Sequence, residues 1–306
     1  MSFGRSLKVS VAGITLIHPV MNASGILGYL PEHADIMASW GVSSIVSKTF
    51  TREARKGYDP PIVIKLKCWS SLNAVGLSNP GVEGIENFVK SAKKYRLPVI
   101  VSVGGVKLSD FVDVAVVAEK VGSDAVELNL SCPHFEGGGI EIGRDPAAVF
   151  NVVREVASVV KIPVTAKLGL SDRLVDSSAR ALEAGAKALT LINTVRGMSI
   201  DVYSLKPLLS NIYGGLSGRS IHPVAVWAVY TVYRETSADI IGVGGVFTWE
   251  DAAELIAVGA RAVQVGTAII YRGPRVIQGI VRGLRSWLKK VGKVSIEELV
   301  GVAQKR

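Results

Sequence analysis

Apolar and polar positions repeat along this chain as one unit: a short run rich in valine and isoleucine, a polar or glycine-rich turn, then apolar residues three and four apart. The runs are HPVMNAS (18–24), SSIVSKT (43–49), PVIVSV (98–103), AVELNLS (125–131), PVTAKL (163–168), ALTLIN (188–193), DIIGVGG (239–245) and AVQVGT (262–267). Helical patterns follow them near 31–40, 84–95, 108–121, 145–160, 173–184, 222–235, 248–258 and 274–290. Long loops intervene after the second and sixth runs.

Strands of nearly continuous apolar character are buried on both faces, and strand–helix alternation demands a parallel sheet. Eight units is the number that closes a barrel. The pattern therefore predicts an α/β fold, a (β/α)8 TIM barrel, as one domain over 1–306. The competing architecture, an open doubly wound sheet, usually has fewer strands. Ahead of the first unit, KVSVAGITLIHP (8–19) reads as an N-terminal β-hairpin about Ala12-Gly13, placed to plug the barrel's lower end.

Composition narrows the class. The 306 residues are 48% hydrophobic and 20% charged, which suits a core-forming globule. Two cysteines, Cys68 and Cys132, exclude a disulfide scaffold and a four-cysteine metal site, and no metal is expected. The start, MSFGRSLKVS, has no signal-peptide core, and IHPVAVWAVYTVY (221–233) is too short and too polar to span a bilayer. A cytoplasmic protein with no membrane partner is expected. The net charge of +9 is spread over many helices rather than clustered with aromatics. It suits an anionic small substrate or a phosphate-bearing cofactor, and no nucleic acid is expected.

Barrels of this kind do chemistry at the carboxyl ends of their strands. Those ends are Asn22 and Ser24, Lys48 and Thr49, Asn129, Ser131 and Cys132, Lys167, Asn193 and Thr194, Gly244 and Gly245, and Gly266 and Thr267. Asn73 lies in the loop after the second run. Amides there can read a planar heterocycle with carbonyls and ring NH groups, although asparagines also cap turns. Lys48 and Lys167, pointing into one mouth, would hold a carboxylate or an anionic reduced ring. GVGG (242–245) and VGT (265–267) end the seventh and eighth runs, where such barrels bind phosphate through backbone NH groups; GGLSG (214–218) could add more. Cys132, in NLSCPH ahead of the glycine-rich FEGGG (135–139), is a candidate acid or base under a lid, or else a small buried hydrophobe. Cys68 sits in a loop stretch without such placement.

Taken together, PVMNASGILG (19–28), SKTFT (47–51), LNAVGLSNPG (72–81), VELNLSCP (126–133), AKL (166–168), LINTVRGMSID (191–201), GGLSG, IIGVGG (240–245) and VQVGTA (263–268) resemble class 1 dihydroorotate dehydrogenases, from about residue 8 to 290. The NASG start and the NT-x-x-GM-x-ID string look most like the subgroup 1B catalytic subunit. The resemblance implies FMN as cofactor, dihydroorotate and orotate as substrate and product, and an FAD- and iron–sulfur-bearing partner subunit; a homodimer or heterotetramer is expected. It also implies that Cys132 takes the proton from carbon 5 while the hydride of carbon 6 goes to FMN. By the same resemblance Lys48, Asn73, Asn129, His134, Asn193 and Thr194 hold the pyrimidine. Lys167 stabilises the reduced flavin. Ser24, Lys48, Thr49, Asn129, Lys167, Ile192, Gly218, Gly244, Gly245, Gly266 and Thr267 contact FMN.

The chain departs from the family pattern at three places. His134 stands where the family usually has asparagine, and SCPH is the dihydropyrimidine dehydrogenase string. PPIVIKLKCWSS (60–71) lacks the usual arginine and glutamate, and Ser102 replaces an FMN-contacting asparagine. A dihydropyrimidine reductase of uracil or thymine is thus the second enzymatic reading, and a flavin- or phosphate-binding barrel without redox turnover is a third.

Overall fold

In this computed structural model, which describes residues 6–130 and 139–304, each of the eight apolar runs contributes one strand to a single parallel sheet. The strands are β1 (Val20–Asn22), β2 (Ile45–Val46), β3 (Val99–Val103), β4 (Ala125–Asn129), β5 (Val164–Leu168), β6 (Ala188–Leu191), β7 (Ile240–Val243) and β8 (Ala260–Val265). The matching helices are α1 (Pro31–Ser39), α2 (Glu83–Lys93), α3 (Leu108–Lys120), α4 (Pro146–Val159), α5 (Leu174–Glu183), α6 (His222–Thr236), α7 (Trp249–Ala257) and α8 (Arg275–Lys290). Pairing runs β1-β8-β7-β6-β5-β4-β3-β2, the order of a (β/α)8 barrel. β3 and β5 are buried along their whole length, which is why their sequences show no alternation. The helices turn one apolar stripe inward; α8 buries Val276, Ile277, Ile280, Leu284 and Leu288. Local signals agree with these boundaries. Asp145 caps α4 by accepting from the Ala147 N–H, with Pro146 at the first helical position, and Thr248 and Asp251 cap α7 reciprocally.

β1 and β2 stand at the two ends of the pairing order and are too short for a full ladder. A side chain completes the seam. Asn22 Nδ2 donates to the Val46 carbonyl (2.7 Å), and the Val46 N–H donates to Asn22 Oδ1 (3.0 Å). A primary amide offers the donor and acceptor of a peptide unit, so it stands in for one rung. Asn22 is fully buried. It belongs to the barrel wall, not to the polar site that its strand-end position suggests.

The N-terminal hairpin is present, Val9–Val11 against Ile14–Leu16. Its Ala12 N–H donates to Asp239, just before β7, which fixes it at the amino end of the barrel. The two long loops hold structure that the sequence pattern did not predict. Val63–Leu66 and Ser70–Asn73 from the first, with Val195–Gly197 and Gly214–Gly218 from the second, form a four-stranded antiparallel sheet. GGLSG is one of its strands, and Cys68 lies in the turn of its outer hairpin. This sheet walls the barrel mouth. No helix among the described residues is long and apolar enough to cross a membrane.

Candidate active site in the barrel mouth

The carboxyl ends of the strands and the accessory sheet enclose one cleft. Ser24 enters it after β1, Lys48 and Thr49 after β2, Asn129 from β4 and Lys167 from β5. Ile192, Asn193 and Thr194 follow β6, Gly244 and Gly245 follow β7, and Gly266 and Thr267 follow β8. Asn73 and Gly218 come from the accessory sheet. Apart from Asn22, every site residue nominated from the sequence that lies among the described residues lines this cleft. Cys132 and His134 lie outside the described residues, as do 135–138 of the glycine-rich stretch.

A belt of amides crosses the mouth. The Thr194 N–H donates to Asn193 Oδ1 (2.8 Å), and Asn193 Nδ2 donates to Asn129 Oδ1 (3.1 Å). Asn129 Nδ2 donates to Thr49 Oγ1 (3.0 Å), which also meets Ser102 Oγ (2.9 Å). Ser102 is fully buried and supports Thr49 from below rather than entering the cleft. Each amide is therefore locked in one orientation, which preorganises the belt for a polar planar ligand. On the accessory sheet, Asn73 Nδ2 donates to the Gly215 carbonyl (3.1 Å).

Below the belt sits a charge pair. Lys167 Nζ is 3.7 Å from Glu127 Oε1, and both side chains are buried. The other carboxylate oxygen accepts from Thr190 Oγ1 (3.0 Å) and Gln264 Nε2 (2.7 Å). A buried charge persists only when paired and hydrogen-bonded, and Glu127 meets that condition. Sequence reading missed Glu127, Thr190 and Gln264. Their signal was present: each is a polar residue inside an otherwise apolar run. Lys48, at the opposite edge, has its ammonium 4.9 Å from the Tyr29 ring centroid. Burial pushes its pKa below the usual lysine value.

The β7–β8 side is made of backbone. Gly244 has φ +137° and Gly245 φ +68°; a Cβ on Gly245 would lie 2.6 Å from His222 Cβ and 2.8 Å from the Gly218 carbonyl. Only glycine lets the chain fold this closely. Three side-chain atoms lining the cleft, Ser24 Oγ, Ser71 Oγ and Gln264 Oε1, are buried without a hydrogen-bond partner among the described residues. Buried polar atoms are nearly always satisfied, so these three point to a polar ligand between them. A flavin fits: its ring would meet polar atoms and a cation, and a phosphate would meet side-chain-free backbone.

The family model described as Dihydroorotate dehydrogenase matches residues 6–288. A protein of Aeropyrum pernix, provisionally named dihydroorotate dehydrogenase A (fumarate), is 51% identical over 98% of both chains. The protein named dihydroorotate dehydrogenase B (NAD(+)), catalytic subunit, is 43% identical in Thermoplasma volcanium and 42% in Pyrococcus furiosus, each over 98% of this chain and 99% of the relative.

Proposed function

The chain belongs to the dihydroorotate dehydrogenase family, flavin-dependent oxidoreductases acting on a CH–CH bond, and from that premise we propose that it oxidises dihydroorotate to orotate for pyrimidine biosynthesis with FMN as its flavin. The observation that carries the reading is the meeting of the amide belt, the Lys167–Glu127 pair, the orphaned polar atoms and the glycine turn around one cleft. Held by these residues, FMN would supply the acceptor for the hydride of carbon 6.

The chain's own residues do the rest. Asn73, Asn129, Asn193 and Thr194 hold the pyrimidine edge, with His134 completing the contact, and Lys48 lies near its carboxylate. Cys132 as thiolate takes the proton from carbon 5. Lys167 supplies positive charge where the reduced ring gains negative charge. Ser24, Thr49 and Ile192 would contact the flavin, and Gly218, Gly244, Gly245, Gly266 and Thr267 would hold its phosphate. The name "catalytic subunit" on several relatives supports a partner subunit for this chain too, one bearing FAD and an iron–sulfur cluster. Val202, Tyr203 and Leu205, strongly exposed in the turn between the paired strands Ile200–Asp201 and Lys206–Pro207, support association with another chain.

Anaerobic addition of dihydroorotate to the purified protein tests the function. The flavin absorbance bleaches, and dihydrouracil leaves it unchanged. Bleaching by dihydrouracil alone would hand the assignment to the dihydropyrimidine reductase that the SCPH string suggests. For the base, Cys132→Ser retains flavin and orotate binding but reduces its flavin far more slowly, with its optimum moved to higher pH. A parental rate across the pH range would remove Cys132 from that role.

A further inference from the structure

His222, the first residue of α6, is buried behind the Gly244–Gly245 turn. Its Nδ1 lies 2.8 Å from the Gly244 carbonyl oxygen and its Nε2 lies 3.0 Å from Glu254 Oε2. Both partners are acceptors. A neutral imidazole donates through one nitrogen only, so the ring makes both bonds only when it carries both protons. His18 shows the alternative within the same chain. Its Nε2 donates to the Gly41 carbonyl (3.1 Å) while its Nδ1 accepts from the Val20 N–H (3.3 Å), a set that a neutral ring satisfies in full. Burial holds the His18 pKa below the ordinary histidine value, in keeping with that neutral ring.

The carbonyl that His222 grips belongs to the same peptide unit as the Gly245 N–H. A cationic donor on the oxygen polarises that unit and leaves more positive charge on its N–H. The turn packs so close to His222 that a Cβ on Gly245 would lie 2.6 Å from the His222 Cβ, so the grip also fixes its position. The other charged groups around the ring are already engaged. Asp251, 3.9 Å from Nε2 through Oδ1, accepts from the Phe247 and Thr248 N–H groups through Oδ2 (2.8 Å each) and pairs with Arg219 (3.5 Å). Arg272 donates to the Phe247 carbonyl (2.6 Å). Glu254 is therefore the group that balances the ring's charge.

We propose that His222 is a positioning residue of the phosphate cradle: clamped as an imidazolium between Glu254 and the Gly244 carbonyl, it fixes the Gly244–Gly245 turn and sets one buried positive charge behind an anionic phosphomonoester. This rests on the assignment of that turn to the FMN phosphate made above. It makes the preference for a phosphorylated flavin over its dephosphorylated form a property of one side chain that does not enter the cleft.

The test titrates flavin-stripped full-length protein with FMN and with riboflavin, followed by flavin fluorescence. The parent prefers FMN. His222→Asn keeps a neutral donor close to the Nδ1 position but loses the charge and the Glu254 bond. It weakens FMN about tenfold and leaves riboflavin within about twofold of the parent. His222→Lys, whose ammonium can donate to both acceptors, regains most of the preference. An asparagine variant with the parental preference overturns the proposal. So does equal weakening of both flavins, which would mark a scaffold residue, or a lysine variant no better than the asparagine one. If replacing His222 prevents folding, Glu254→Gln carries the test from the surface. It lowers the FMN preference in the same direction, and an unchanged preference there overturns the proposal. A parent indifferent to the phosphate would instead remove the cradle assignment itself, and this inference with it.

Discussion

On the β4, β5 and β6 side of the cleft the wall is side chain; on the β7 and β8 side it is backbone. The first side presents Asn129, Lys167, Asn193 and Thr194, braced from below by Glu127, Thr190 and Ser102. The second presents Gly244, Gly245 and Gly266, with Gly218 opposite. The materials suit different tasks. Side chains place charge and directed hydrogen bonds where electrons and protons move. Bare backbone lets a phosphate come close and offers NH groups at no cost in side-chain order. The two halves should therefore fail in different ways. A side-chain wall can lose one atom and keep its shape, whereas a backbone wall cannot accept a Cβ without moving.

Gly245→Val should show the largest effect. The new side chain overlaps His222 and the Gly218 carbonyl and forces a valine to φ +68°. Strain and overlap together cost on the order of 3 kcal/mol, so the variant should melt well below the parent and purify without flavin. A valine variant that is fully yellow at the parental melting temperature would break the comparison, since the glycine side would then be as tolerant as the other.

Lys167→Ala comes next, and it separates rate from stability. Losing one preorganised charge costs on the order of 100-fold in flavin reduction. It also strands Glu127, which is fully buried and, among the described residues, keeps only Thr190 and Gln264. Leaving a buried charge unpaired costs about 3 kcal/mol. The double variant Lys167→Ala with Glu127→Gln should recover most of the lost thermal stability and none of the lost rate. A double variant as unstable as Lys167→Ala would show that the ion pair contributes little to the fold.

Most of the barrel was legible because its strands are buried on both faces, and each helix follows with one apolar stripe. The accessory sheet was not. Its strands pair across the chain, Ser71 with Ser217 and Asn73 with Gly215, and GGLSG has little intrinsic strand preference. Nothing local announces such a strand; only its partner makes it one. The site was legible residue by residue, since strand ends can be read directly, but the relations between residues were not. Asn22 and Asn129 look alike in sequence, each polar at the end of an apolar strand. Asn22 spends its amide on the β1–β2 seam because those strands are short, while Asn129 faces the cleft. In sequence Glu127 is one acid in an apolar strand; the fold brings Thr190 and Gln264 beside it from β6 and β8.

The smallest effect expected tests whether the side-chain half carries a stability cost that the glycine half lacks. Lys48 is buried enough that its pKa falls below the ordinary lysine value of 10.5, and desolvation is the cause. The sign follows from linkage. Between the folded value and 10.5 the unfolded chain holds more protons at this position than the folded chain, so stability rises with pH across that window. Below it, the charged ammonium subtracts its full penalty, partly offset by the Tyr29 ring. Lys48→Met removes the penalty, so flavin-free variant protein should melt about 1–3 °C above the flavin-free parent near neutral pH. The gap should shrink through that window and close above 10.5, where the parent's lysine is neutral in both states. Activity should fall in the same variant if Lys48 lies near the substrate's carboxylate, as proposed above. A gap that stays constant or widens as the pH rises would mean that the ammonium is not desolvated in the fold, and that the side-chain half carries its charges at no cost to the barrel.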